Sequence, residues 1–174
     1  MAEKRRLPVI PAKSENADEP PRPPWHWVGF GTTAIFGAWL PLAYAAEALK
    51  KKVVFAWVGQ VGDVQIAPAL AALSAGERSR LGAALVLLTS LAMGGGAFAG
   101  GYLVGRWGGV GVGTREAALA GLMSGIIVSG LASTRGEGSW VVLGAGAVGA
   151  CLVLALFAAL GGGVGARRRA RVGE

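Results

Sequence analysis

Apolar positions in this chain fall in long blocks rather than at helical or strand spacing. No residue between Arg22 and Glu47 is formally charged, and the same holds for Leu81–Gly105, for 117–134 and for 138–166. Blocks of this kind suit lipid on all sides. The pattern therefore predicts an all-α membrane protein: four transmembrane helices near 25–47, 81–105, 117–134 and 140–164, forming a small bundle over 25–166. Residues 1–24 are expected to be a disordered tail, because prolines and charges of both signs alternate there. Residues 167–174 are expected to be a basic C-terminal tail. The N-terminus starts basic and continues proline-rich, without a short apolar core, so membrane entry is expected to rest on the internal helices.

The boundaries carry their own signals. Trp25, His26 and Trp27 suit the headgroup level, where amphipathic rings collect. Pro41 is expected to kink the first span. Glu47 and then Lys50, Lys51 and Lys52 are expected to end it. The 53–76 segment is interrupted by Gln60, Asp63, Gln65 and Pro68, and its uncharged runs on either side of Asp63 are too short to cross. It reads as an interfacial or re-entrant loop. A fifth span would place Asp63 near mid-membrane, at about 2.5–3.5 kcal/mol on insertion scales.

Ser74 and Glu77 stand three apart, the spacing of a capping box, so a helix is expected to start there and run into the second span. That span holds 25 uncharged residues, a rise of about 37 Å. A turn rich in Gly108, Gly109, Gly111 and Gly113 follows, and Thr114 is expected to cap the third helix. The third span has only 18 uncharged residues, about 27 Å, and should stand nearly upright. Arg135–Gly138 reads as a tight polar turn, Ser139 as a cap and Trp140 as an interface anchor.

Composition narrows the function. Charged residues are 16% of the chain, below the roughly 25% of soluble domains. The net charge of +7 sits at the ends of apolar blocks, which points to membrane flanks and not to nucleic acid. With both termini cytoplasmic, eleven Lys and Arg lie inside and six outside, in agreement with the positive-inside rule; Lys50–Lys52 oppose it. Cys151 is the sole cysteine, so no intrachain disulfide forms.

The small residues form the clearest functional pattern. Gly94, Ala97, Gly101 and Gly105 recur on one face of the second span, with Gly96 and Gly100 on a neighbouring edge. Ala118, Gly121, Gly125, Ser129 and Ala132 do the same on the third. Gly29, Thr33 and Gly37 form a small face on the first. In lipid, close backbone approach drives helix association, so these are helix-packing residues, with self-association through a spare edge as the sharper option. Glu47 and Asp63 are the possible ion or proton sites, weighed against an interfacial ion pair and a polar loop residue. His26 alone makes no metal site, Cys151 has no base near it, and Gly109–Gly113 lacks the lysine-serine pair of a phosphate loop. No catalytic residue, cofactor or metal is expected.

Gly94–Arg106, followed by a short turn and Glu116–Leu122, resembles the central hairpin of small glycine-rich four-span bacterial membrane proteins of unknown function. The resemblance covers about a third of the chain and implies a bacterial inner-membrane protein, carrying over no ligand residues. The first expectation is a structural or interaction protein, a subunit or anchor of a membrane assembly, with lipid and either further copies or other membrane subunits as partners. The alternative is a small oligomeric transporter or channel, lined by hydroxyls such as Thr89, Ser90, Ser124 and Ser129.

Overall fold

A computed structural model describes residues 23–59, 65–109, 111–134 and 140–172. The expected tail up to Arg22, Asp63, the Arg135–Gly138 turn and the Ser139 cap lie outside the described residues. The chain forms helices α1 (Pro24–Val58), α2 (Ile66–Ala72), α3 (Ala75–Trp107), α4 (Thr114–Ser133) and α5 (Trp140–Val172). Among the described residues, α1, α3, α4 and α5 are the four helices long and apolar enough to cross a membrane. Seven residues of α2 rise only about 10 Å and cannot. The protein is an all-α, multi-pass membrane protein.

Helix boundaries follow backbone chemistry more than charge. Pro24, placed in the tail by composition, is the first residue of α1, where a missing N–H is no loss and a fixed φ helps. The helix does not stop at Glu47. Leu49 and Lys50–Lys52 are good helix formers, and α1 continues to Val58 until Gly59 turns to φ +80°, a left-handed value that glycine adopts without strain. Residues 53–58 of the expected loop therefore belong to α1. At the other end, α5 continues through Arg167–Arg171 to Val172, so these residues are the last turns of a helix, not a tail. Basic side chains there complement the partial negative charge of the helix C-terminus.

The capping box at the start of α3 is complete. Ser74 Oγ accepts from the Glu77 amide at 3.3 Å, and Glu77 Oε2 accepts from the Ser74 amide at 2.9 Å and from its hydroxyl at 2.7 Å. At α4 the cap is Gly113 rather than Thr114, which is the first helical residue. Gly113 has no side chain to cap with, so Glu116 alone reaches back, its Oε2 accepting the Gly113 amide at 2.9 Å.

The four long helices form a bundle in which α1 and α5 each pack on both α3 and α4. The chain-adjacent pair α3 and α4 touch far less than either touches α5, so α5 closes over the hairpin that a short turn would otherwise pair directly. Ile35, Ala97, Ala120, Leu154 and Ala158, from all four helices, form the buried core, with Val28 and Met93 against it. A half-open pocket among Ile35, Met93, Ser124 and Leu154 has a volume of about 10 Å³, the least that holds one water. Phe30 of α1 lies beside Trp107 of α3, ring centres 6.0 Å apart. Arg169 of α5 reaches the turn that follows α3. The start of α1 and the end of α5 thus lie at the same end of the bundle.

Candidate functional site

The glycine stripes are the bundle's closest contacts, and each meets a definite neighbour. A methyl group on Gly101 would land on the carbonyl of Ala158, and one on Gly105 on the carbonyl of Gly162. Partners advance together along both chains, so α3 and α5 run parallel. The contact is reciprocal: Gly161 lies against the Phe98 carbonyl and Gly165 against the Tyr102 carbonyl. A Cβ on Gly94 would meet the ring of Phe157 at 3.4 Å. Such approach brings glycine Cα–H groups onto facing carbonyls, a weak attraction that recurs at helix interfaces.

The neighbouring edge of α3 is not spare. Gly96 faces Trp39 and Gly100 faces Ile35, where an added Cβ would sit 2.9 Å from each Cα, so α1 occupies it. On α4, Gly121 lies under the Leu154 carbonyl, and Gly125 against Cys151, 2.7 Å from a Cβ to its Cα. Ser129 is half-buried further along α4. The stripes of α3 and α4 therefore face α5 and α1, not each other.

Sequence reasoning missed Gly161, Gly162 and Gly165 on α5, and Gly31 on α1, whose Cβ would sit 2.7 Å from Ala120 and from Val104. The signal was present in Gly161-xxx-Gly165 and Ala158-xxx-Gly162-xxx-Ala166, the small-residue spacing already read on α3. Conversely, Gly29, Thr33 and Gly37 are exposed, and Gly29 and Gly37 meet nothing within 4 Å. That face of α1 points out of the bundle.

The titratable candidates do not gather. Glu47 is exposed and accepts from Lys50 Nζ at 2.6 Å, one helical turn away. Asp63 lies outside the described residues. His26 stacks edge-on between Trp25 and Trp27, with centroids 6.2 and 6.1 Å away, and Trp27 continues to Phe30 at 5.8 Å, giving an aromatic row at the terminal end. Cys151 is half-buried at the α4 contact. Among the described residues no three His, Cys, Asp or Glu side chains cluster as metal ligands. The buried polar residues are Glu116, held by the Gly113 amide, and Ser124, whose hydroxyl donates to the Ala120 carbonyl at 2.9 Å. Glu77, at the far mouth, has its carboxyl held below the ordinary range by the Ser74 hydroxyl and amide.

Two features distinguish the terminal end. Arg169 donates to the carbonyls of Gly109 at 3.0 Å and Val112 at 3.1 Å, tying the end of α5 to the α3–α4 turn. Between α1 and α4 an apolar groove of about 500 Å³ opens to the outside, lined by Pro24, Trp25, Val28, Gly29 and Thr32 on one wall and by Leu119, Leu122, Met123 and Ile126 on the other. It exists because α1 and α4 meet closely at Gly31 and Ala120, while Gly29 leaves no side chain on the outer edge. In comparisons with family models, characterised proteins and solved structures, nothing matches this chain.

Proposed function

We propose that this chain is a structural subunit or anchor of an assembly in a bacterial inner membrane, with both termini in the cytoplasm and no chemistry of its own. The observation that carries the reading is the close packing of the interior. Backbone meets backbone at Gly101, Gly105, Gly121 and Gly125, and the pocket that side chains of all four spans line is only about 10 Å³. A single copy packed this way offers little room for a solute, and the uncharged runs of its second, third and fourth spans hold no charged side chain from which to make a transport site. Its capacity lies on the outside, where Thr33 and Gly37 offer a helix edge that a partner helix can approach closely. Partners are further copies of the chain or other membrane subunits. The cytoplasmic side is assigned by the excess of Lys and Arg at the terminal end.

Purification in a mild detergent tests this. The chain should leave the column with another integral protein, or with itself, at fixed stoichiometry, and Gly37→Leu should abolish that association without unfolding the chain. A monomer with no stoichiometric companion, or solute flux through reconstituted vesicles, would overturn the proposal.

A further inference from the structure

We infer that the groove between α1 and α4 is a binding site for one anionic phospholipid, with an acyl chain lying in the groove and the phosphate held at Arg115. Three observations combine. The groove's size, about 500 Å³, falls within the roughly 300–1,000 Å³ of small-molecule sites, and its lining is apolar apart from Thr32, whose hydroxyl is already given to the Val28 carbonyl at 2.9 Å. Its depth matches a leaflet: Pro24 to Thr32 rises about 12 Å, against about 15 Å for half of a 30 Å hydrocarbon core. It opens at the headgroup level, where Trp25 is 72% exposed at its mouth.

Charge complementarity selects the head. Arg115, Leu119, Leu122 and Ile126 follow one another at spacings of four, three and four, so they share one face of α4. The groove wall therefore ends, one turn towards the headgroups, in an exposed guanidinium. The nearby carboxylate, Glu116, is buried on another face and engaged with the Gly113 amide, so it does not neutralise Arg115. A guanidinium at the lip of an apolar slot suits a phosphate ester joined to a hydrocarbon chain, and a fork of N–H donors fits phosphate oxygens in pairs. A zwitterionic lipid offers the same chain and less net charge. The groove adjoins the Thr33–Gly37 edge through Gly29 on the same face of α1, and the variants separate the two: Gly37→Leu bears on a partner and Arg115→Gln on the lipid.

The test is retention of lipid by the intact chain. The protein is equilibrated in mixed micelles with equal amounts of phosphatidylglycerol and phosphatidylcholine, and retained lipids are counted by native mass spectrometry. The wild type should keep one phospholipid, favouring phosphatidylglycerol about fivefold, the value of one basic residue at a lipid surface. Arg115→Gln should keep a lipid and lose the preference. Gly29→Leu, which fills the groove where nothing lies within 4 Å, should lose the lipid while its thermal unfolding stays unchanged. Met123→Trp, which fills the groove from the α4 wall, should also lose the lipid, so the test stands even where a Gly29→Leu variant fails to fold. Equal retention by the wild type and a folded Gly29→Leu variant would overturn the inference. So would a lipid-free dimer that Gly29→Leu turns into monomer, since a second copy would then be the occupant.

Discussion

Replacing Gly101 by alanine adds one methyl group, and the geometry fixes where it goes. In α3 that methyl meets the carbonyl carbon and oxygen of Ala158, backbone atoms of a helix that cannot rotate away as a side chain would. Relief requires α3 and α5 to separate, which also loosens Gly105 on Gly162 and Gly161 on Phe98. Overpacking of this kind costs about 1–3 kcal/mol. Gly37→Ala makes the same chemical change on α1, in open space, and should stabilise by about 0.4–1 kcal/mol, since alanine loses less backbone entropy in a helix. That entropy gain is common to both substitutions, so the two variants should differ by the overpacking cost, roughly 1–3 kcal/mol, with Gly101→Ala the less stable. Equilibrium unfolding in a mild detergent titrated with a denaturing one, followed by circular dichroism, measures both. Equal shifts for the two variants would refute the claim that backbone contact between α3 and α5 holds the bundle.

Gly125→Leu should push α5 away at Cys151 and speed maleimide labelling of that thiol in detergent, whereas Gly130→Leu, with open space around it, should not. Arg169→Gln removes both bonds to the α3–α4 turn; at roughly 1.5 kcal/mol for each bond to a charged group, amide exchange at Gly111–Gly113 should accelerate on the order of a hundredfold with the helices intact. Glu77 sits below its ordinary value of 4.5 because the Ser74 hydroxyl and amide stabilise the carboxylate, so the cap contributes fully above that pH and its contribution is lost as pH falls through the lowered value; amide exchange in the first turn of α3 should rise on acidification, and the rise should be smaller in Ser74→Ala, which keeps only the amide bond. Lys50→Ala breaks an exposed pair and should shift unfolding by less than about 0.5 kcal/mol.

The spans were legible because lipid imposes a coarse rule: a crossing helix needs a long uncharged run, and that run is visible in the letters alone. The capping box at Ser74 was equally legible, since both partners lie within four residues. The end of α1 was not. Charge at Glu47 and Lys50–Lys52 marks where a helix leaves lipid, not where it stops, and the stop came from the backbone at Gly59. For the stripes, the spacing of Gly101 and Gly105 shows that one face is small and says nothing of which helix it meets. A short turn suggested α4, whereas the contact goes to α5, whose matching Gly161 and Gly165 sit more than fifty residues away in sequence. The outward face of Gly29 and Gly37 has the same spacing as the buried stripes, so pattern alone could not separate an internal seam from an outer edge.

The parallel pairing of α3 with α5 also sets an order of assembly. Helices enter a membrane first and pack afterwards, and α5 is the last of these spans to be synthesised. Until it arrives, Gly101 and Gly105 on α3 and Gly121 and Gly125 on α4 face lipid with nothing against them, and the hairpin joining them has little contact of its own. The two central spans therefore wait, inserted and held only by α1, for the clasp that α5 supplies, completed when Arg169 reaches the turn between them. A ribosome that stops before α5 leaves a chain that has crossed the membrane yet cannot close, and its bare glycine faces are then open to any neighbouring helix or to the proteases that survey unassembled spans.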